Sequence, residues 1–171
     1  MAKFSIKIKG LDQLQKKLNK QSQKQIIKKI GNEFQVSAQK VRNSAIGRVP
    51  VDQGYLRNSI NVEGKDLLWI VYASAGYAGY QEFGTKTKVD VPAEMQSEAE
   101  KFRNGKLSEG DFKKAIAEWM KRKGIPKEAL WPIMAKIMKV GVNPQPFMHP
   151  GFKDGTKGLE KRIEDILKDY L

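Results

Sequence analysis

The chain has 171 residues, with 32 Lys and Arg against 19 Asp and Glu, and a formal net charge of +13. One histidine and no cysteine exclude a disulfide scaffold, Cys-ligated zinc or iron–sulfur centres, a Cys nucleophile and any site needing two imidazoles. At this length a single domain is expected, burying about 70% of its unfolded surface without any covalent staple.

Phe4, Ile6 and Ile8 alternate with Ser5, Lys7 and Lys9, the period of a half-buried strand that Gly10 ends. Leu11, Leu14 and Leu18 then take helical spacing, with Lys16, Lys17 and Lys20 opposite. The polar run from Asn19 to Gln25 reads either as a break or as a solvated stretch of helix. Beyond it Ile26, Ile27, Ile30, Phe34, Ala38, Val41 and Ala45 form an i, i+3/i+4 stripe, the strongest helical signal in the chain. Pro50 restricts Val49 and stops that helix. Asp52-Gln53-Gly54 reads as a turn, with Asp52 placed to cap the short segment after it.

Ser59 to Val62 and Leu67 to Ala73 predict a hairpin around Gly64-Lys65-Asp66. The second strand is apolar on both faces, so it should be central in a sheet or covered on its second side by a helix or another subunit. Tyr77, Tyr80 and Phe83 recur every three residues, as in a short helical turn ended by Gly84. Met95, Ala99 and Phe102 form a short stripe, and Ser108 with Asp111 resembles a capping box. Phe112, Ile116, Trp119 and Met120 predict an amphipathic helix closed by Gly124. Ile133, Met134, Ile137 and Val140 predict another, starting near Pro132. Asn143 to Pro150 is expected to be extended, because Pro144, Pro146 and Pro150 restrict themselves and their predecessors. Leu159, Ile163, Ile166, Leu167 and Tyr170 share one face of a last helix.

Charge is unevenly spread. Residues 1–50 carry +10, residues 51–100 carry −4, residues 101–150 carry +7, and the remainder is neutral. A basic end and an acidic middle fit either nucleic-acid contact or packing between copies of the chain. Phe4 and Phe34 are the only aromatics among the first fifty residues, so stacking platforms are not interleaved with the charge. Trp69, Tyr72, Tyr77, Tyr80 and Phe83 lie instead in the acidic stretch, where they read as core or protein–protein interface. Lys3, Lys7 and Lys9 interrupt any export-signal core. The longest uncharged stretch, Leu67 to Gln81, is shorter than the ~20 apolar residues of a membrane helix. The expectation is therefore a soluble protein with no membrane partner.

Catalysis finds little support. His149, between Met148 and Pro150, has no nucleophile at a readable spacing. Gly151 to Gly158 lacks the Lys-Ser/Thr end of a phosphate loop. Asp52, Glu63, Asp66, Glu82 and Asp90 are carboxylates with nothing to fix their separation, and turn or cap roles suit Asp52 and Asp66 better. No catalytic residue, cofactor or metal site is assigned.

Three segments together resemble one family, the gp-ten-like head–tail joining or tail-completion (neck) proteins of tailed bacteriophages. The first is Pro50-Val51-Asp52-Gln53-Gly54-Tyr55-Leu56-Arg57-Asn58-Ser59-Ile60, following a long helix. The second is Tyr77-Ala78 with Tyr80 and Glu82-Phe83-Gly84-Thr85. The third is Gln145-Pro146-Phe147-Met148 with Pro150 and Phe152, before a C-terminal helix.

The resemblance covers residues 4–86 and 143–171. It implies an α+β fold, with a long N-terminal helix and a C-terminal helix packed on a small antiparallel sheet. It also implies a non-enzymatic virion protein, present in the host cytoplasm during assembly, whose copies form a hexameric ring joining tail to DNA-filled head. Its partners would be further copies of itself and other neck and tail proteins, with non-specific contact to DNA in the channel. Residues 86–142 depart from the family as a helical insertion in the single domain of residues 1–171.

On physical grounds Pro50 and Gly54 would redirect the chain and Leu56 and Ile60 would enter the core. Arg57 would pair with an acidic group such as Glu82, in the same copy or the next. The alternative to the ring subunit is a basic nucleic-acid-binding module.

Overall fold

A computed structural model describes residues 20–50, 54–85, 91, 93–103 and 109–170. The strand expected at Phe4–Ile8, the helix of Leu11–Leu18, the Asp52 cap and the Ser108 capping box lie outside the described residues. In chain order the elements are α1 (Lys20–Arg48), α2 (Tyr55–Asn58), β1 (Ile60–Lys65), β2 (Leu68–Ala73), α3 (Ala78–Phe83), α4 (Gln96–Arg103), α5 (Glu109–Lys123), α6 (Leu130–Val140), α7 (Met148–Gly155) and α8 (Leu159–Lys168). The architecture is α+β, as the sequence predicts. The chain divides into two compact units, residues 1–78 with 146–171 and residues 79–145.

The first unit is built on α1. Its buried residues Ile26, Ile30, Phe34, Ala38, Val41 and Ala45 are those of the apolar stripe, and full burial of each large aliphatic side chain contributes about 1.5–3 kcal/mol. The polar run before Ile26 is solvated helix, not a break. One end of α1 shares a cluster with Leu56, Ile60, Val71, Ala73, Ala78, Phe147 and Met148. The other packs Ile26, Ile30 and Phe34 against Leu159 and Ile163 of α8. Arg162 of α8 ties the two helices by polar contacts as well. Its Nε donates to Glu33 at 2.7 Å, its second terminal nitrogen to the buried Ser37 hydroxyl at 2.9 Å, and its first to the Lys157 carbonyl at 3.1 Å.

β1 and β2 pair antiparallel with Ile60 opposite Ala73, Val62 opposite Val71 and Gly64 opposite Trp69. The connecting turn is Asp66-Leu67, one residue later than the sequence implies, with Asp66 at φ 53°. Asp tolerates that left-handed region better than most side chains do. Among the described residues the sheet has two strands, so β2 is not central there. Its second face carries Leu68, 56% exposed, and the half-buried Ile70 and Tyr72.

The expected extended run to Pro150 ends early, because α7 begins at Met148. Pro150 falls in its first turn, where a missing N–H removes no helical hydrogen bond. α7 then presents Gly151 and Gly155, one turn apart, to α1. A Cβ on Gly151 would stand 2.9 Å from the Ala45 amide nitrogen, and one on Gly155 would stand 2.6 Å from Val41 Cα. Only hydrogen at both positions lets the two backbones approach this closely.

In the second unit, α5 and α6 pack together across a 3-10 turn at Lys127–Ala129. Met120 and Met134 are buried, as are Met95 and Ala99 ahead of and within α4. Gly124 ends α5, as expected, and α6 starts two residues before Pro132.

Candidate functional site

The Pro50–Ile60 segment turns the chain from the end of α1 into the hairpin. Gly54 sits at φ 74° and starts α2, where the left-handed backbone suits glycine. Leu56 is 4% exposed and Ile60 fully buried. Ser59 acts as a staple: its hydroxyl donates to the Leu56 carbonyl at 2.7 Å. Its own carbonyl accepts from the Ser74 amide at 2.9 Å and from Asn61 Nδ2 at 2.8 Å. Arg42 Nε of α1 adds a bond to the Ile60 carbonyl at 2.9 Å. Each contact fixes the hairpin's entry angle on α1 and satisfies a backbone group that would otherwise be buried bare.

The three motifs meet in one core cluster. Leu56 of the first, Ala78 of the second, and Phe147 and Met148 of the third pack together with Val49 and Ala45. Pro50 and Pro146 are exposed at the edges of their segments. The remaining motif residues split between interior and surface. Phe83 is 1% and Glu82 2% exposed, and Tyr80 is half-buried, which pushes its hydroxyl pKa up by desolvation.

Tyr55, Arg57 and Tyr77 face solvent instead. Tyr55 is 61% exposed and stacks on Tyr77 with ring centroids 6.2 Å apart and planes inclined by 21°. Exposed tyrosine and arginine are the composition that protein interfaces favour.

The second motif also closes a neck within its own unit. Thr85 donates its amide to the Val142 carbonyl at 3.0 Å, and the Val142 amide donates to the Thr85 hydroxyl at 2.8 Å. Gln145 donates its amide to the Gln81 carbonyl at 2.7 Å, and their side chains join at 2.8 Å. Gly84, at φ 67°, lies between these pairs. A Cβ there would meet the Val142 carbonyl oxygen at 2.7 Å and Pro144 Cδ at 2.8 Å. Residues 86–141 leave and return through this neck. Sequence reading did not single out Gln81 or Val142 and named Gln145 only as the start of the third motif; a contact paired across a long excursion leaves no periodic signal.

A cavity of about 30 Å³ between α1, the sheet and α7 is lined by Phe34, Val41, Leu67, Trp69 and Phe152, room for about one water. Among the described residues no group of three or more His, Asp or Glu could hold a metal ion, and no helix is long and apolar enough to cross a membrane.

Residues 12–84 match the HK97-gp10-like family model, described as "Bacteriophage HK97-gp10, putative tail-component". Over that segment the chain resembles a phage tail-component family. No curated protein and no solved structure gives a significant match. The gp10-like segment contains the first motif and all of the second but Thr85, and stops at Gly84, the residue in the neck. The Pro146-Phe147 motif lies beyond it, yet supplies Phe147 to the core shared with Leu56 and Ala78.

Proposed function

We propose that this protein is a structural subunit of a phage virion neck, a head–tail connector or tail-completion protein that assembles into a hexameric ring of identical copies. The observation that carries the reading is the tail-component match over residues 12–84. In that segment the motif side chains mostly build the core, and Tyr55, Arg57 and Tyr77 are left on the surface. These three form the contact to the next copy or to another neck or tail protein, and the subunit performs no catalysis. Residues 86–142 are a helical insertion into the tail-component domain. Assembly takes place in the host cytoplasm and ends in the virion.

Electron microscopy and sedimentation velocity of the full chain test the proposal. Rings are expected for the wild type, and their loss in Tyr55→Ser/Tyr77→Ser without loss of helicity. A strict monomer at high concentration, showing no rings, would contradict it. The exposed Lys24, Lys28 and Lys40 of α1 supply the observation for the nucleic-acid alternative. Tight duplex binding at physiological salt, weakening steeply as salt rises, would favour that alternative.

A further inference from the structure

One edge of the hairpin has no described partner. Ser74 donates its amide to the Ser59 carbonyl at 2.9 Å, and the strand register continues from that pair. Backbone groups in an antiparallel ladder alternate in direction. Leu68, Ile70 and Tyr72 therefore bond toward β1, and Trp69, Val71 and Ala73 aim their N–H and C=O groups away from it. On the β1 edge, Arg42 answers the outward carbonyl of Ile60. Among the described residues no backbone bond meets Trp69, Val71 or Ala73 on the β2 edge. Val71 and Ala73 are each 4% exposed, so bulk water does not supply what this edge lacks, and buried backbone groups are almost always paired.

The cavity between α1, the sheet and α7 lies along the same edge. The sheet side of its lining is Leu67, Trp69 and Val71, facing Phe34 and Val41 of α1 and Phe152 of α7. An apolar side chain on a strand beside β2 would land on α1 and in this cavity.

The chain holds a segment of the required pattern and reach. Phe4, Ile6 and Ile8 alternate with Ser5, Lys7 and Lys9, so one face suits the cavity and the other suits water. Lysine is also the side chain with which natural sheets guard an outermost strand. Residues 9–19 join Ile8 to the start of α1 at Lys20. With Leu11–Leu18 at helical spacing, that link spans roughly 25 Å.

The direction of β2 decides whether this is enough. The Asp66 carbonyl lies against Gly31 of α1, 2.8 Å from a Cβ built there, whereas Val71 and Ala73 share a cluster with Val41, Ala45 and Val49. β2 thus runs along α1 toward the helix's C-terminal end. A strand antiparallel to β2 finishes beside Leu68, roughly 16 Å of helix from Lys20 and within reach. A parallel strand finishes beside Ala45, roughly 37 Å away and out of reach.

We infer that residues 4–8 dock on the free edge of β2 in their own chain as an antiparallel third strand, with Phe4, Ile6 and Ile8 over α1 and the cavity and Lys7 in water. The pairing is internal to one copy and stands apart from ring formation.

Amide hydrogen exchange followed by NMR on the full chain tests it. Trp69 and Val71 should exchange about a hundredfold or more slowly than free amides. Ile6→Asp should speed exchange at these two about tenfold or more beyond any change at Ile70 and Tyr72, whose bonds face β1. Fast exchange at Trp69 and Val71 in the wild type, or equal acceleration of all four amides in the variant, would overturn the inference. Position is read separately, because the chain has no cysteine. Lys7→Cys is combined in turn with Leu68→Cys, Ile70→Cys and Tyr72→Cys, and one of the three pairs should close a disulfide within a single chain under mild oxidation. No disulfide in any pair would overturn the inference. Disulfide-linked dimers in dilute protein would do the same, by giving the edge to a second copy.

Discussion

Gly155→Ala probes how closely α7 lies on α1. The added methyl would stand 2.6 Å from Val41 Cα and nearer still to that residue's amide nitrogen and Cγ2. Favourable carbon contacts begin at about 3.5 Å, so the helices must part by roughly 1 Å or the local backbone must distort. Overpacking of this kind costs about 1–3 kcal/mol, and atoms on the α1 backbone cannot rotate away, which places the cost in the upper part of that range. Alanine returns at most about 1 kcal/mol of helix propensity, and less at the last residue of α7. The net loss is about 2 kcal/mol, which for a chain of this size lowers Tm by about 4–8 °C. Gly47→Ala is the matched control: Gly47 is exposed on α1 with nothing within 4 Å of a built Cβ. There the same substitution should stabilise by about 0.5–1 kcal/mol. Thermal and urea unfolding followed by far-UV circular dichroism measure both. If Gly155→Ala is as stable as the parent while Gly47→Ala behaves as stated, α7 does not approach α1 through its glycines.

Gly84→Ala places a side chain in the left-handed region and against Val142 and Pro144; it should cost about 2–3 kcal/mol and speed amide exchange at Thr85 and Gln145. Arg162→Met strips partners from Glu33 and the buried Ser37 and should cost about 1–3 kcal/mol, with a double-mutant cycle through Glu33→Gln giving the coupled share. The Asp154 carboxyl accepts from Arg48 and from the Ser44 hydroxyl, and these bonds hold its pKa below the usual carboxylate value. Its contribution to stability is therefore complete above that usual value and disappears as pH falls through the lowered native one. Asp154→Asn should flatten this acid limb of the stability profile by lowering stability at neutral pH while leaving it nearly unchanged in acid, as urea melts across a pH series would show; an unchanged acid limb would contradict the pairing.

The periodic part of the fold was legible because burial repeats. The stripe from Ile26 to Ala45 returns as the buried face of α1, and the alternation around Gly64 returns as the hairpin with a one-residue shift of its turn. What escaped the sequence was carried by single atoms rather than by patterns. Gly151 and Gly155 looked like fragments of a failed phosphate loop, because glycines four apart mark a close helix contact only once a helix is known to run through them. Proline at 150 argued for extension, although a first helical turn accommodates it equally well. Arg57 is exposed and Glu82 is buried, a division between surface and interior that the motif pattern does not carry. Within the motifs Leu56, Ile60, Ala78 and Phe147 serve the core, whereas Tyr55, Arg57 and Tyr77 are left on the surface.

The length of the segment between Thr85 and Val142 also has a physical explanation. The entropic cost of closing a loop rises only logarithmically with its length, so what matters is whether its two ends are held together. Here they are: Thr85 and Val142 bond to each other reciprocally, Gln81 and Gln145 repeat the join, and Gly84 supplies the room between them. With the ends fixed, residues 86–141 can be long and can carry surface chemistry of their own without shifting the register of the motifs on either side. The gp10-like match ends at Gly84, where this closure begins. Residues on the matched side therefore answer to the packing of Leu56, Ala78 and Phe147. Trp131 and Met138, outside the matched segment, are released from that constraint.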